Sequence, residues 1–251
     1  METHWLEQTE ADLPAHDDWL GPEECVLLRQ KRFPKRRADW RLGRWTAKRA
    51  AAAYLTLPAD PRSLRDIEVR AASSGAPELF LAGRPAAITI SISHRAGIAA
   101  CAIAPSGVAL GCDLELIEPR DASFVADYFT AEEQAWIART PEPDRPRLVT
   151  LIWSAKESAL KALREGLRID TRSLAVTLPN DEHAAAALEQ HSALDPWRPL
   201  QVRCNGGEVF QGWRQSTGRL VRTLVGAPPP LPPIFFPDSR ASRRSDGVLA
   251  V

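Results

Sequence analysis

Four charged residues in the second half of the chain have types and spacings suited to phosphate chemistry. Asp113 and Glu115 alternate within an apolar run, so a β-strand would direct both carboxylates to the same face. Glu157 and Lys161 are four residues apart, about one helical turn. Mg²⁺ binds a few carboxylates together with phosphate oxygens, and an ammonium group attracts a further phosphate oxygen. The set is what a magnesium–phosphate site needs, although Glu157 and Lys161 alone also fit an exposed ion pair.

A second candidate is the basic segment of residues 29–49, which holds ten Lys and Arg residues and one acid, Asp39. Residues 1–24 hold eight acids and no Lys or Arg. Such a density of positive charge is typical of a surface for a nucleic acid, a phosphorylated cofactor or an acidic protein. A solvated helix face, balanced by the preceding acids, explains it equally well.

The composition excludes several classes of protein. The 251 residues carry 32 Lys and Arg against 32 Asp and Glu, and 44% are hydrophobic, as in ordinary globular proteins. No apolar run approaches the roughly 18 residues of a membrane helix, and no secretory signal is recognised, so we expect a cytoplasmic protein. The four cysteines form no CxxC pair, which argues against zinc and for reduced thiols.

Periodicity and turn residues predict the elements that position these groups. Strands are expected at 88–93, 97–104, 108–116, 173–178, 199–204, 207–213 and 218–225. Helices are expected at 40–57, where Pro58 ends the helix, after Thr130, whose capping box is completed by Glu133, and at 146–165. Six prolines occur in the 26 residues from Gly226 onwards, for which we expect a poorly ordered or extended tail.

Several segments together resemble one protein family. The chain contains Gly111-Cys112-Asp113-Leu114-Glu115 and, some forty residues later, Trp153-Ser154-Ala155-Lys156-Glu157-Ser158-Ala159-Leu160-Lys161. This pair resembles the G-(V/I)-D-x-E and W-(S/T)-x-K-E-(A/S)-x-x-K signatures of the 4′-phosphopantetheinyl transferases. Three further segments resemble parts of the two-lobed, Sfp-type members. Residues 82–85 resemble their G-K-P segment and residues 91–95 their N-(I/L)-S-H-S segment. Residues 40–44 resemble their early basic helix.

The resemblance implies an α+β fold of two similar lobes. Each lobe would be an antiparallel sheet packed on a long helix, with the active site in the cleft between the lobes. The implied division is an N-terminal lobe at 1–108 with the basic helix, a C-terminal lobe at 109–226 with the metal and catalytic motifs, and a Pro-rich tail at 227–251.

The implied reaction transfers the 4′-phosphopantetheine arm of coenzyme A to a serine of an apo acyl or peptidyl carrier protein and releases 3′,5′-ADP. The carriers would belong to polyketide, nonribosomal-peptide or fatty-acid synthases. We expect Mg²⁺ as cofactor, a monomeric enzyme, and neither nucleic acid nor membrane as partner.

The resemblance also implies a role for each matching residue. Mg²⁺ would be bound by Asp113, Glu115 and Glu157. Glu157 would also take the serine proton, and Lys161 would neutralise charge on the α-phosphate. Coenzyme A would contact Arg44, Lys48, Arg84, Ser93, His94, Asp113, Lys156 and Lys161, with Arg44 and His94 at its 3′-phosphate.

Some alternatives stay open at the level of sequence. Glu133 matches an acid near the metal in two-lobed members but also serves as a helix cap, and His94 also fits an ordinary turn. Arg164 stands where many members have glycine. A nucleic-acid-binding protein would use the 29–49 segment but leaves the three acids unexplained, and an inactive homologue would bind coenzyme A without transferring its arm.

Overall fold

The structure, a computed structural model, describes residues 1–179 and 196–237. The chain divides into two compact units. The first unit comprises Glu2–Val108 and the segment that starts at Pro233, and the second comprises Ala109–Pro232 together with Met1. Among the described residues, no helix is both long enough and apolar enough to span a membrane.

The first unit packs a long helix on a sheet. Its helices are α1 (Pro22–Gln30), α2 (Pro34–Tyr54) and α3 (Pro61–Arg65), and its strands are β1 (His4–Thr9), β2 (Ile67–Ala71), β3 (Pro77–Leu81), β4 (Arg84–Pro85), β5 (Ile88–Arg95), β6 (Ile98–Pro105) and β12 (Ile234–Phe235). One sheet has the order β12-β1-β6-β5, antiparallel except for the parallel β12–β1 pair, and β2, β3 and β4 form a small antiparallel sheet. Fully buried alanines of α2 and β6 allow the helix to lie close to the strands.

The second unit repeats the theme with one larger sheet. Its helices are α4 (Ala122–Tyr128), α5 (Ala131–Arg139) and α6 (Arg145–Leu163), and its strands are β7 (Ala109–Leu116), β8 (Leu174–Thr177), β9 (Arg198–Cys204), β10 (Val209–Thr217) and β11 (Leu220–Ala227). The strand order is β7-β11-β10-β9-β8, and every pair is antiparallel. Helix α6 packs mainly on β7 and β11.

Gly111 lets α6 lie directly on the backbone of β7. A Cβ atom at this position would be 1.8 Å from the carbonyl oxygen of Ser158 and 2.7 Å from the backbone nitrogen of Ala162. Real Cβ atoms do not approach backbone so closely, so any side chain here would push the helix away from the strand. The glycine of the G-x-D-x-E motif therefore sets the distance between the strand and the helix that carry the charged residues.

Each of the two units contains its own buried ion pair, and the two pairs are built in the same way. In the first, Glu24 in the first turn of α1 pairs with Lys48 of α2, and its Oε1 accepts from Val69 N at 3.1 Å. The Lys48 side chain has no exposed surface, and its Nζ also donates to Trp19 O at 2.9 Å. Burial lowers the pKa of Lys48 and the charge of Glu24 opposes this effect. The pair fastens α1 to α2 and to β2.

The second unit has the matching pair. Glu133 in the first turn of α5 pairs with Lys156 of α6 at 2.7 Å, and its Oε1 accepts from Val176 N at 3.0 Å. Lys156 is likewise without exposed surface and donates to the carbonyl oxygens of Tyr128 and Thr171, both at 3.0 Å. Burial lowers the pKa of Lys156, and Glu133 opposes this. Two similar units are thus visible in their contacts although no sequence repeat is apparent.

Most of the predicted elements are present. The α+β fold with antiparallel sheets is confirmed, and so is the capping box at Thr130 and Glu133. The helix predicted at 40–57 is misplaced, because it begins at Pro34, a favourable first helical residue, and ends at Tyr54, before Pro58 is reached. Of the tail expected to be poorly ordered or extended, residues 227–237 are ordered and include the strand β12, while 238–251 lie outside the described residues.

Candidate active site

Asp113 and Lys161 meet where β7 passes beneath α6. Asp113 Oδ1 accepts a hydrogen bond from Lys161 Nζ at 2.8 Å, and the same ammonium donates to Cys112 O at 2.9 Å. The Asp113 side chain is 6% exposed and that of Lys161 is 28% exposed. Burial acts to lower the pKa of Lys161, but attraction by Asp113 and by Cys112 outweighs it, so that the pKa is raised. Lys161 is thus a firmly protonated cation with one side open to solvent.

Glu157 lies one turn before Lys161 on α6 and is partly buried. Burial raises the pKa of Glu157, Lys161 lowers it and the negative charge of Asp113 raises it further, leaving it above its ordinary value. The influence of Asp113 indicates that the strand and the helix bring these carboxylates into one electrostatic group. A carboxylate with a raised pKa is a better proton acceptor than an ordinary one.

Glu115 lies two residues beyond Asp113 on β7, so the two side chains leave the same face of the strand. Its side chain is 15% exposed, and its Oε2 is 3.9 Å from Arg120 Nη2. Among the described residues, no group of three or more His, Cys, Asp and Glu side chains is arranged to hold a metal ion. The expected metal site of Asp113, Glu115 and Glu157 therefore stays a prediction.

A polar layer and an aromatic cluster support this part of α6, and no sequence pattern predicts the polar layer. Thr223 Oγ1 on β11 is hydrogen-bonded to Ser154 Oγ at 2.9 Å and to Ser158 Oγ at 2.8 Å, and all three side chains are buried. Trp153, one turn before Glu157, packs edge-on against the rings of Phe124 and Tyr128, with ring centroids 5.0 and 5.2 Å apart. These contacts fix the rotation of α6 about its axis.

The first unit contains a basic cavity of about 450 Å³. Its lining includes five basic side chains and one acid, Asp39; the basic ones are Lys31, Arg36, Arg44, Arg70 and His94. Trp40, Ile92 and Pro77 add apolar surface. A cavity with apolar walls and several cations suits a phosphorylated ligand that also carries a flat ring.

Within this cavity, Arg44 is held differently from its neighbours. Its guanidinium lies over the ring of Trp40, 4.3 Å from the ring centroid, and its buried Nε has no hydrogen-bond partner among the described residues. Burial lowers the pKa of Arg44 to about 10, with Glu24 opposing the shift, so the side chain stays protonated near neutral pH. Arg70, by contrast, donates to Glu68 Oε2 at 2.6 Å.

The structure brings Arg44 and His94 together in the cavity but not the other residues expected at coenzyme A. Lys48 and Lys156 are the fully buried members of the two ion pairs. Arg84 is exposed on β4 and does not line the cavity. Ser93 is buried and precedes His94 on β5, so its side chain leaves the opposite face of the strand. These positions favour packing roles for the two lysines and for Ser93.

Sequence reasoning missed three cavity residues. Lys31 and Arg36 lie within the recognised basic segment, where their charge was the available signal. Arg70 carried no signal, because β2 brings it to the cavity from a distant part of the sequence. The basic segment is also not one continuous cationic face: Arg41 Nε donates to Asp17 at 2.7 Å.

Comparison with known proteins shows which family these motifs are similar to. Residues 109–209 match the family model of the 4′-phosphopantetheinyl transferase superfamily. The predicted resemblance to this superfamily is confirmed. A 4′-phosphopantetheinyl transferase from Nostoc sp., HetI, is 24% identical over 176 residues, covering 68% of this chain and 71% of the Nostoc protein.

The match to the phosphopantetheinyl transferase superfamily begins at the first residue of β7 and includes all of α6. It therefore covers Asp113, Glu115, Glu157 and Lys161, the four charged residues suited to phosphate chemistry. The cavity with Arg44 and His94 lies before the matched residues. The comparisons thus support a transferase acting in phosphopantetheine transfer, while the assignment to the two-lobed, Sfp-type branch stays a prediction.

Proposed function

We propose that this protein transfers the 4′-phosphopantetheine arm of coenzyme A to a serine of an apo carrier protein and releases 3′,5′-ADP. The observation that carries the proposal is the group formed by Asp113, Glu157 and Lys161 on β7 and α6, in a segment that matches the superfamily. Phosphoryl transfer needs mainly positioning and charge neutralisation, and this group offers a half-buried cation beside a carboxylate whose pKa is raised.

In the proposed reaction, Glu157 accepts the proton of the attacking serine hydroxyl. Its raised pKa suits this task, because a base with an ordinary carboxyl pKa holds a proton less readily. Lys161 donates to an oxygen of the α-phosphate as negative charge grows there. Asp113 holds the Lys161 ammonium through the 2.8 Å contact, so the cation is already oriented when the substrate arrives.

Mg²⁺ fits this group in charge and donor type. Asp113 raises the pKa of Glu157, which means that two carboxylates repel one another and would gain from a cation. Mg²⁺ usually takes one or two protein carboxylates and completes its coordination with water and phosphate oxygens, so a complete protein cage is not required. Asp113, Glu157 and Glu115 would hold the ion, which would supply neutralisation of the pyrophosphate charge.

The cavity of the first unit is the proposed site for the phosphorylated end of coenzyme A. Arg44 and His94 would donate to the 3′-phosphate, with Lys31 and Arg36 adding positive potential. We further propose that the protein is monomeric and cytoplasmic. Its carrier-protein substrates would belong to polyketide, nonribosomal-peptide or fatty-acid synthases.

The direct test is incubation with coenzyme A, Mg²⁺ and a panel of apo carrier proteins, followed by mass spectrometry of the carriers. One carrier should gain the mass of a single phosphopantetheine arm on its serine. Glu157→Gln and Lys161→Ala should lower the single-turnover rate at saturating coenzyme A far more than they lower coenzyme A affinity. Normal rates in both variants would reduce the pair to an exposed ion pair, and binding of coenzyme A without transfer to any carrier would indicate an inactive homologue.

A further inference from the structure

Trp40 and Arg44 are one turn apart on α2, and both line the basic cavity. The guanidinium of Arg44 lies 4.3 Å from the centroid of the Trp40 ring. Attraction between a cation and an aromatic face grows when the cation is removed from water. Arg44 is partly buried, and this burial lowers the pKa of its guanidinium.

The ring holds Arg44 without neutralising it. Arg41 on the same helix is held by the carboxylate of Asp17 at 2.7 Å, and Arg70 across the cavity is held by Glu68 at 2.6 Å. A carboxylate fixes an arginine but occupies its N–H donors and cancels its charge. An aromatic face restricts the plane of the guanidinium and leaves the N–H edge available to a ligand.

We propose that Trp40 is a positioning residue that orients the Arg44 guanidinium for the 3′-phosphate of coenzyme A. The proposal rests on the proposed function, since it assigns a ligand to this cavity. It predicts that Trp40 contributes to discrimination between coenzyme A and 3′-dephospho-coenzyme A although its indole does not touch the phosphate. Lysine cannot replace Arg44 here, because a point charge on a flexible stem has no plane to stack.

The test is calorimetric titration of the full-length protein with coenzyme A and with 3′-dephospho-coenzyme A. Trp40→Leu and Arg44→Lys should each weaken coenzyme A binding by roughly 3- to 30-fold, the range expected for a desolvated cation–aromatic contact, and change dephospho-coenzyme A binding less than about twofold. Trp40→Phe should retain most of the affinity. The double variant Trp40→Leu with Arg44→Lys should be no weaker than the worse single variant, because both remove the same contact.

Arg49→Lys is the matched control. Arg49 lies on the same helix with its guanidinium 5.6 Å from the centroid of the Trp45 ring, but it does not line this cavity, so its replacement should leave both affinities unchanged. Equal weakening of both ligands by Trp40→Leu would overturn the proposal, since it would mean that the indole contacts the rest of the ligand or supports the fold. Additive losses in the double variant would also overturn it. Failure of the parent protein to bind coenzyme A would instead overturn the proposed function itself.

Discussion

Replacement of Gly111 by alanine tests whether the close contact of α6 with β7 builds the active group. The new Cβ would be 1.8 Å from Ser158 O, whereas ordinary contacts between such atoms are about 3.4 Å, so the helix must retreat by roughly 1.5 Å. The hydrogen bond from Lys161 Nζ to Asp113 Oδ1, now 2.8 Å, would then exceed the length at which it contributes.

Two effects of known size follow from this displacement. Overpacking of a rigid interface lowers the free energy of unfolding by about 1–3 kcal/mol, which corresponds to a melting temperature lower by roughly 3–10 °C. Misplacement of catalytic groups by about 1 Å lowers the rate on the order of 100-fold. We therefore expect Gly111→Ala to melt earlier in calorimetry and to lose about two orders of magnitude in single-turnover transfer.

Two other glycines separate these effects. At Gly212 on β10, a Cβ would be 2.0 Å from Leu224 O, a similar collision in the same sheet but with β11 between Gly212 and the strand of Asp113, so Gly212→Ala should lose stability with a smaller loss of rate. Gly206, in a turn with open space around it, should tolerate alanine without change. A melting temperature for Gly111→Ala within about 1 °C of the parent would refute the argument that this glycine sets the strand–helix distance.

Four further outcomes follow from individual contacts. Burial raises the pKa of Glu157, so its ionised form is disfavoured in the folded chain. At pH values above this raised pKa, Glu157→Gln should therefore increase the melting temperature, and the increase should vanish as pH falls below the ordinary carboxyl value of 4.5. An increase that persists at pH 3 would contradict this. Lys161→Met should strengthen Mn²⁺ binding, followed by paramagnetic resonance, because the ammonium competes for Asp113; weaker binding would contradict the assignment. Glu133→Gln should cost about 3–5 kcal/mol in denaturant unfolding, since it leaves Lys156 buried without its counter-charge, and adding Lys156→Met should recover part of that loss. Arg164 ends α6 with a φ of 59°, a left-handed conformation that favours glycine. Arg164→Gly should therefore stabilise the protein by about 0.5–1 kcal/mol in thermal melting. A loss of stability would mean that the side chain of Arg164 contributes more than its backbone conformation costs.

The charged group on β7 and α6 could be predicted because each half lies in a short, regular element. The two-residue period of a strand places Asp113 and Glu115 on one face, and one helical turn joins Glu157 to Lys161. The capping box at Thr130 was similarly visible, because all its parts lie within four residues.

The features that sequence reasoning missed depend on partners far away in the chain. Lys48 and Lys156 look like ligands for phosphate until Glu24 and Glu133 are seen to neutralise them inside the protein. Strand β12 forms only because β1, at the other end of the sequence, offers it an edge. Arg70 enters the basic cavity through pairing of β2 with β3, which no local pattern encodes.

The buried lysines make this protein suitable for measuring the unfolding of each unit by chemical labelling. The sequence contains five lysines, Lys31, Lys35, Lys48, Lys156 and Lys161. Lys48 in the first unit and Lys156 in the second have no exposed side-chain surface, whereas each unit also carries at least one lysine that solvent reaches. An amine-reactive reagent should therefore modify exposed Lys35 at once and Lys161 more slowly, because its raised pKa leaves less neutral amine. The reagent should reach Lys48 or Lys156 only when the unit that contains it opens. Peptide mass spectrometry over time would then give two opening rates from one sample, with exposed Lys35 as the reference for the reagent.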